Sequence, residues 1–209
     1  MTSLAQSLDG ASGSLTPAIV ISTCALLFTV GSFWWLYVRP GRLRMVEIRV
    51  FSAFVHVDES ALRIPVTLYN SGPKPLVVVD LRLQMSSAGH TATAATKLFR
   101  TTIKPSSGDV EDFPHPYVVP GRSVVTKFVD FAADPSVMTT GEPATVGLLV
   151  LISGRGWRKV GGSEIRTDVI SSPDAYISYS NDPAHWPTGQ LDKARSALVS
   201  VRSRITPTE

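Results

Sequence analysis

Cysteine occurs once in the 209 residues, at Cys24, and that position lies inside an uncharged run, so the rest of the chain has neither a disulfide nor a cysteine metal site. Histidine is scarce: His56, His90, His115 and His185 stand far apart, with no H-x-x-x-H and no Cys/His cluster. No G-x-S-x-G elbow occurs, and no Gly-Lys-Ser/Thr loop leads into a helix to cradle a phosphate. Long amphipathic helices are missing from the middle of the chain. The formal net charge is +3, too small to mark a nucleic-acid binder, and the bias of 14 Arg over 6 Lys fits nucleotide composition as well as phosphate binding. These absences argue against an enzyme, leave no cofactor to assign, and point to no nucleic-acid partner. A Ser-His-Asp arrangement needs no fixed spacing, so an enzyme with residues on loop tips stays as the least favoured alternative.

What the sequence does have is apolar weight in one place. No Asp, Glu, Lys, Arg or His occurs from Gly10 to Val38. A helix over the dense part, Ala18 to Val38, would span about 30 Å, the thickness of a bilayer's hydrocarbon layer. Pro17 suits a first helical turn, where its missing N–H would have no partner anyway. Residues 15–38 therefore read as a transmembrane helix that includes Ala18, Cys24 and Phe28, preceded by a short polar N-terminus over 1–14. Trp34, Trp35 and Tyr37 form the aromatic belt expected at a membrane–water boundary. A cleavable signal peptide would want basic residues before the run and small ones after it. The flanks have the reverse.

Arg39, Arg42, Arg44 and Arg49 follow the run and no Lys or Arg precedes it. The positive-inside bias places the N-terminus outside and the remainder in the cytoplasm of a single-pass cell-membrane protein, with Arg39, Arg42 and Arg44 as the topology-determining residues. Residues 39–44 read as a basic juxtamembrane linker. So short a linker would hold the following domain close to the bilayer.

From Met45 the pattern alternates. Leu62, Ile64, Val66 and Leu68 share one face of a strand, and Val77, Val79, Leu81, Leu83 and Met85 share one face of the next, with the turn-rich Tyr69–Pro75 between them. Val46, Ile48 and Val50 suggest an earlier strand, and Phe99, Thr101 and Ile103 a strand over Lys97–Ile103. Pro65 cannot donate to a ladder, so its strand should be at an edge or bulged there. Residues 144–153 are apolar on both faces, as in a central strand, and Gly161–Gly162 suggest a bulge or bend. About seven short strands with Gly/Pro turns predict a mainly β, antiparallel sandwich over 45–171.

Two short motifs carry a resemblance. Tyr69-Asn70-Ser71-Gly72 with the strand from Pro75 resembles a corner of bacterial immunoglobulin-like domains, and Val119-Pro120-Gly121-Arg122-Ser123 is similar to a turn that opens a later strand in them. The resemblance implies an immunoglobulin-like sandwich of the kind without a Cys pair. It implies no activity, because such sandwiches host many unrelated ones.

Residues 172–209 read as an irregular tail with a basic amphipathic helix over 190–205, its stripe formed by Leu191, Ala194, Leu198, Val201 and Ile205. That helix could pack on the domain, meet a partner, or contact anionic lipid. The remaining candidate is the hairpin tip Arg155, Trp157 and Arg158, residue types that dominate binding hot spots. The function expected is non-catalytic: a membrane-anchored domain that binds or positions a protein partner at the cytoplasmic face. The alternative is an exported envelope or surface adhesion domain of opposite topology.

Overall fold

The computed structural model describes residues 17–205 and divides into two compact units, Met1–Arg39 and Pro40–Glu209. The expected polar segment over 1–14, the first two residues of the expected 15–38 span, and the last four residues of the tail lie outside the described residues.

The described residues of the first unit form one apolar helix. An α-helix, α1 (Pro17–Phe33), ends in a π-helical turn over Trp34–Val38. Together they make 22 residues of mean hydropathy 1.9, none of them buried, long and apolar enough to cross a membrane. The hydroxyls of Ser22, Thr23 and Thr29 donate to carbonyls four residues back, at 2.8 Å each. Their polarity is thus met inside the helix, as an apolar surround would require. Pro40 ends it. The ring disfavours helical backbone at the preceding residue, and Arg39 accordingly turns to ψ 127° while its N–H bonds Trp34 O at 2.9 Å.

The second unit is mainly antiparallel β. Its strands are β1 (Leu43–Met45), β2 (Val50–Val55), β3 (Ser60–Asn70), β4 (Leu76–Ser87), β5 (His90–Arg100), β6 (Glu111–Asp112), β7 (Tyr117–Val119), β8 (Val124–Ala133), β9 (Ala144–Ile152), β10 (Gly156–Ile165) and β11 (Ile177–Ser180). A short helix, α2 (Pro135–Met138), and a longer one, α3 (Gln190–Ile205), complete it. All eleven strands belong to one sheet, in the order β10-β9-β4-β5-β8-β3-β2-β11, with β1 on β3, β6 on β5 and β7 on β4. Strand β5 is the corner. Its first half pairs with β4 and its second half with β8, with a register shift between Thr96 and Leu98. The sheet curls there into a half-barrel, and the apolar rows of both halves share one core.

The sequence predicts about seven strands; the extra four are β1, β6, β7 and β11, of two to four residues each. Ladders that short cannot display a period of two. The rows of β3 are as expected, with Leu62, Ile64, Val66 and Leu68 all fully buried. In β4 the expected row breaks: Val78 is buried while Val77 and Val79 are exposed, because a bulge between Val78 and Asp80 shifts the phase. Val46 and Val50 also face outward, since the chain leaves the ladder between β1 and β2 and returns with Phe51, Ala53 and Val55 inward. The strand expected over Lys97–Ile103 lies earlier, as β5, with Phe99 buried.

Pro65 sits in a strand that is locally an edge. Pairing with β2 stops at Arg63 and pairing with β1 begins at Leu68. Thr67 O accepts from Val46 N on that flank, and residues two apart share a flank, so the missing N–H of Pro65 falls where no partner strand runs.

The expected linker over 39–44 is shorter, because Leu43 and Arg44 already belong to β1. The expected tail is largely built into the domain. β11 pairs with β2, and the Asn181 side chain donates to Ile48 O and Glu164 O at 2.7 Å each and accepts from Arg166 N at 2.9 Å. The helix expected over 190–205 is α3, and Ala194, Leu198 and Val201 bury against the rest of the unit.

Candidate functional site

Strand β10, at one end of the sheet, meets β1, the short strand beside β3, along a seam. At one end of it Met45 lies so close to Gly161 that a Cβ there would stand 2.8 Å from Met45 Cβ, and the Ser163 hydroxyl accepts from Ile48 N at 3.3 Å. A side chain at residue 161 would prise the edges apart, which is the reason for glycine. The register shift of β10 falls between Lys159 and Gly161, beside the Gly161–Gly162 bulge expected from sequence.

Toward the β9–β10 hairpin the seam opens into a cleft of about 390 Å³, lined by Gly41, Arg42 and Leu43 on one side and Arg155, Arg158 and Val160 on the other. Its first wall is held by interlocking turns. Gly41 packs on Gly72, where a Cβ on either would lie within 3 Å of the other's backbone. Ser71 clamps Arg42: its N–H donates to Arg42 O at 3.1 Å, and its hydroxyl accepts from Arg42 N at 3.2 Å. Asn70, fully buried, donates to Lys74 O, Val119 O and Pro120 O and accepts from Gly72 N. This gives the Asn70-Ser71-Gly72 motif and the Pro120-Gly121 turn a common purpose, since both fasten the chain entering β1.

The second wall is the hairpin. Gly154 and Gly156 take positive φ of 70° and 71°, which glycine tolerates without a Cβ clash, and place Arg155 at the tip. Arg155 reaches back across the mouth and donates to Gly41 O at 3.1 Å. Arg158 pairs opposite Val150 and stays exposed. Lys159 borders the cleft, but its stem lies over Gly147 on the sheet's other face. Trp157 also turns away: the Arg82 guanidinium stacks over it at 4.5 Å. The structure therefore brings Arg42, Arg155 and Arg158 to one cleft and sets Trp157 apart from them. Among the described residues, no carboxylate pairs with any of the three arginines. Arg44 points out of β1, and Arg39 stacks over Trp35 at 4.1 Å. Along the apolar helix Ala18, Cys24, Phe28, Trp34, Trp35 and Tyr37 are all exposed.

The second polar constellation has no sequence forecast. Arg63, 1% exposed, is ion-paired to Asp130 and Asp109, each at 2.6 Å, and donates to Thr102 O at 3.0 Å. Arg100 bonds Asp130 at 2.7 Å and Glu111 at 2.6 Å. The Tyr176 hydroxyl donates to Asp130 at 2.7 Å, and its ring lies under the Arg63 guanidinium at 5.0 Å. Burial alone would discourage the charge on Arg63, but Asp130 and Tyr176 hold its pKa above the ordinary value. Burial likewise acts to raise Asp109, yet Arg63 and Thr101 bring it below its ordinary value. Burial, then Asp130, push the Tyr176 phenol up. Every charge there has a partner, so the cluster pins the 101–110 loop and the Tyr176 segment onto the sheet. The visible signal was opposite charge at equal depth in two strands, Arg63 and Asp130. What buries them comes from remote segments.

Among the described residues no three His, Cys, Asp or Glu side chains group as metal ligands.

No protein-family model matches the chain, and no curated protein matches its sequence. Among solved structures it is similar to a protein from Archaeoglobus fulgidus, 13% identical over 66% of this chain and 98% of that one, TM-score 0.33. A protein described as late embryogenesis abundant is 16% identical over 71% of this chain and 81% of that one, TM-score 0.32. A family 123 glycoside hydrolase from Clostridium perfringens is 9% identical over 54% of this chain and 22% of that one, TM-score 0.30. Likeness this slight assigns no family and transfers no activity.

Proposed function

We propose that this chain is a single-pass membrane protein whose β domain, an immunoglobulin-like sandwich, binds or positions a protein partner at the cytoplasmic face without catalysis. The observation that carries it is the 22-residue apolar helix with no buried residue, followed by arginines and then by a self-contained β unit. A soluble core helix of that length would bury a face. The curl of the sheet at β5, which hands its two halves to different neighbours, supports the sandwich. Arginines after the helix support a cytoplasmic domain.

Reporters fused after Glu209 test the topology: a cytoplasmic-only reporter should be active and an export-only reporter silent. The reverse result would move the domain to the envelope and favour adhesion. A chain shortened by cleavage near Val38 would remove the anchor altogether. Crosslinked pull-down in mild detergent should recover one specific partner, and its repeated failure would sink the positioning role.

A further inference from the structure

We infer that the cleft of Arg42, Arg155 and Arg158 is a binding site for a phosphate group, carried by a phosphomonoester lipid headgroup or by a soluble phosphate. The lipid source rests on the cytoplasmic membrane reading above; the phosphate chemistry does not. Three arginines line one cleft of about 390 Å³, the Arg155 guanidinium reaching across it to Gly41 O, and among the described residues no carboxylate pairs with any of the three. Four other arginines of the domain, Arg63, Arg100, Arg166 and Arg204, form ion pairs with carboxylates. Like charges gathered without a counter-ion repel, so a fold that holds them together favours an anion between them.

The positions are set by the fold. Ser71 clamps the backbone of Arg42, the Gly41 carbonyl takes one Arg155 donor, and the β10 ladder fixes Arg158. Each guanidinium keeps donors over, and forked N–H pairs suit the several oxygens of a tetrahedral dianion better than the two of one carboxylate. The cleft's size suits one headgroup-sized anion. It is too short a track for a nucleic-acid backbone. Arg42 follows the last residue of the apolar helix, Val38, by four positions, at most about 14 Å of extended chain. An integral helix would thus keep this wall within reach of headgroups.

The test is protection from the arginine reagent phenylglyoxal, read residue by residue by mass spectrometry on the full chain. In neutral detergent, inorganic phosphate against chloride at equal ionic strength should slow modification of Arg42, Arg155 and Arg158 about tenfold, the protection given by ligand at about ten times its dissociation constant. Exposed Arg195 on α3 should not change. In phosphatidylcholine nanodiscs without added phosphate, phosphatidic acid should protect the same three. Protection in the first arm only assigns a soluble phosphate, and in the second only a headgroup. Protection in neither arm, equal protection by chloride, or equal protection of Arg195 by inorganic phosphate overturns the site. Arg158→Gln, whose side chain makes no hydrogen bond among the described residues, should keep the melting temperature and lose most phosphate protection at Arg155. Unchanged protection there also overturns it. Reporter fusions after Glu209 separate the two readings, because an exported domain that is still protected loses only the cytoplasmic assignment.

Discussion

Arg63 and Asp130 stand directly opposite each other across β3 and β8, joined by hydrogen bonds of 2.6 and 3.2 Å, with their side chains 1% and 4% exposed. Asp130 also receives Arg100 and Tyr176, so one carboxylate ties two strands and the segment before β11. Asp130→Ala would leave Arg63 buried with half its hydrogen bonds gone. The expected loss is about 3–5 kcal/mol, the usual cost of breaking a buried pair from one side. Thermal or denaturant unfolding of the full chain in mild detergent measures it. A loss below about 1 kcal/mol would mean that Asp109 alone satisfies Arg63.

Acid should weaken the same cluster through Asp109. Its pKa in the fold lies below the ordinary 3.8, because Arg63 and Thr101 outweigh burial. A depressed carboxyl contributes stability that is complete above its unfolded value and drains as pH falls through its folded value. The melting temperature should therefore fall below about pH 4 more steeply in the wild type than in Asp109→Asn, which is less stable at neutral pH and flatter in acid. Parallel curves for the two proteins would contradict this.

Tyr117 presents the opposite situation. Its hydroxyl is buried and has no hydrogen-bond partner among the described residues, and burial pushes its pKa up. The ring packs edge-on to Phe99 at 5.9 Å and needs no hydroxyl for that. Tyr117→Phe should keep the packing and remove an unmet polar group, for a gain of about 1 kcal/mol. A destabilised variant would reveal a partner for the hydroxyl, such as a bridging water.

Helix α3 has two adjacent apolar residues with opposite fates. Leu198 is 1% exposed in the core and Val199 is 58% exposed. Leu198→Ala should cost about 2–5 kcal/mol, and Val199→Ala about 0.5 kcal/mol or less. Equal, small effects on unfolding would mean that the helix does not dock on the sheet in solution. Arg202 donates to Thr139 O at 3.0 Å and Arg204 meets Asp174 at 3.3 Å, so an anionic-lipid contact, one of the three roles the sequence leaves open for this helix, would fall to its exposed Lys193 and Arg195.

The apolar helix, its end at Pro40, the buried row Leu62–Leu68 and the span of α3 are determined by the sequence alone. Each depends on a local property: an uncharged run, a ring that forbids helix before it, a period of two, a period near 3.6. The short strands β1, β6, β7 and β11, the phase shift in β4, and the incorporation of residues 172–205 into the domain were decided only by the tertiary structure, because each depends on a partner strand remote in sequence. The sites divide in the same way. Arg155 and Arg158 stand out in sequence as a basic tip, but Trp157 leaves them for Arg82 and Arg42 joins them through the Gly41–Gly72 contact. Arg63 and Asp130 look like solvent-facing charges on alternating strands. They are buried because the 101–110 loop and Tyr176 cover them, and no local pattern records what a distant segment will cover.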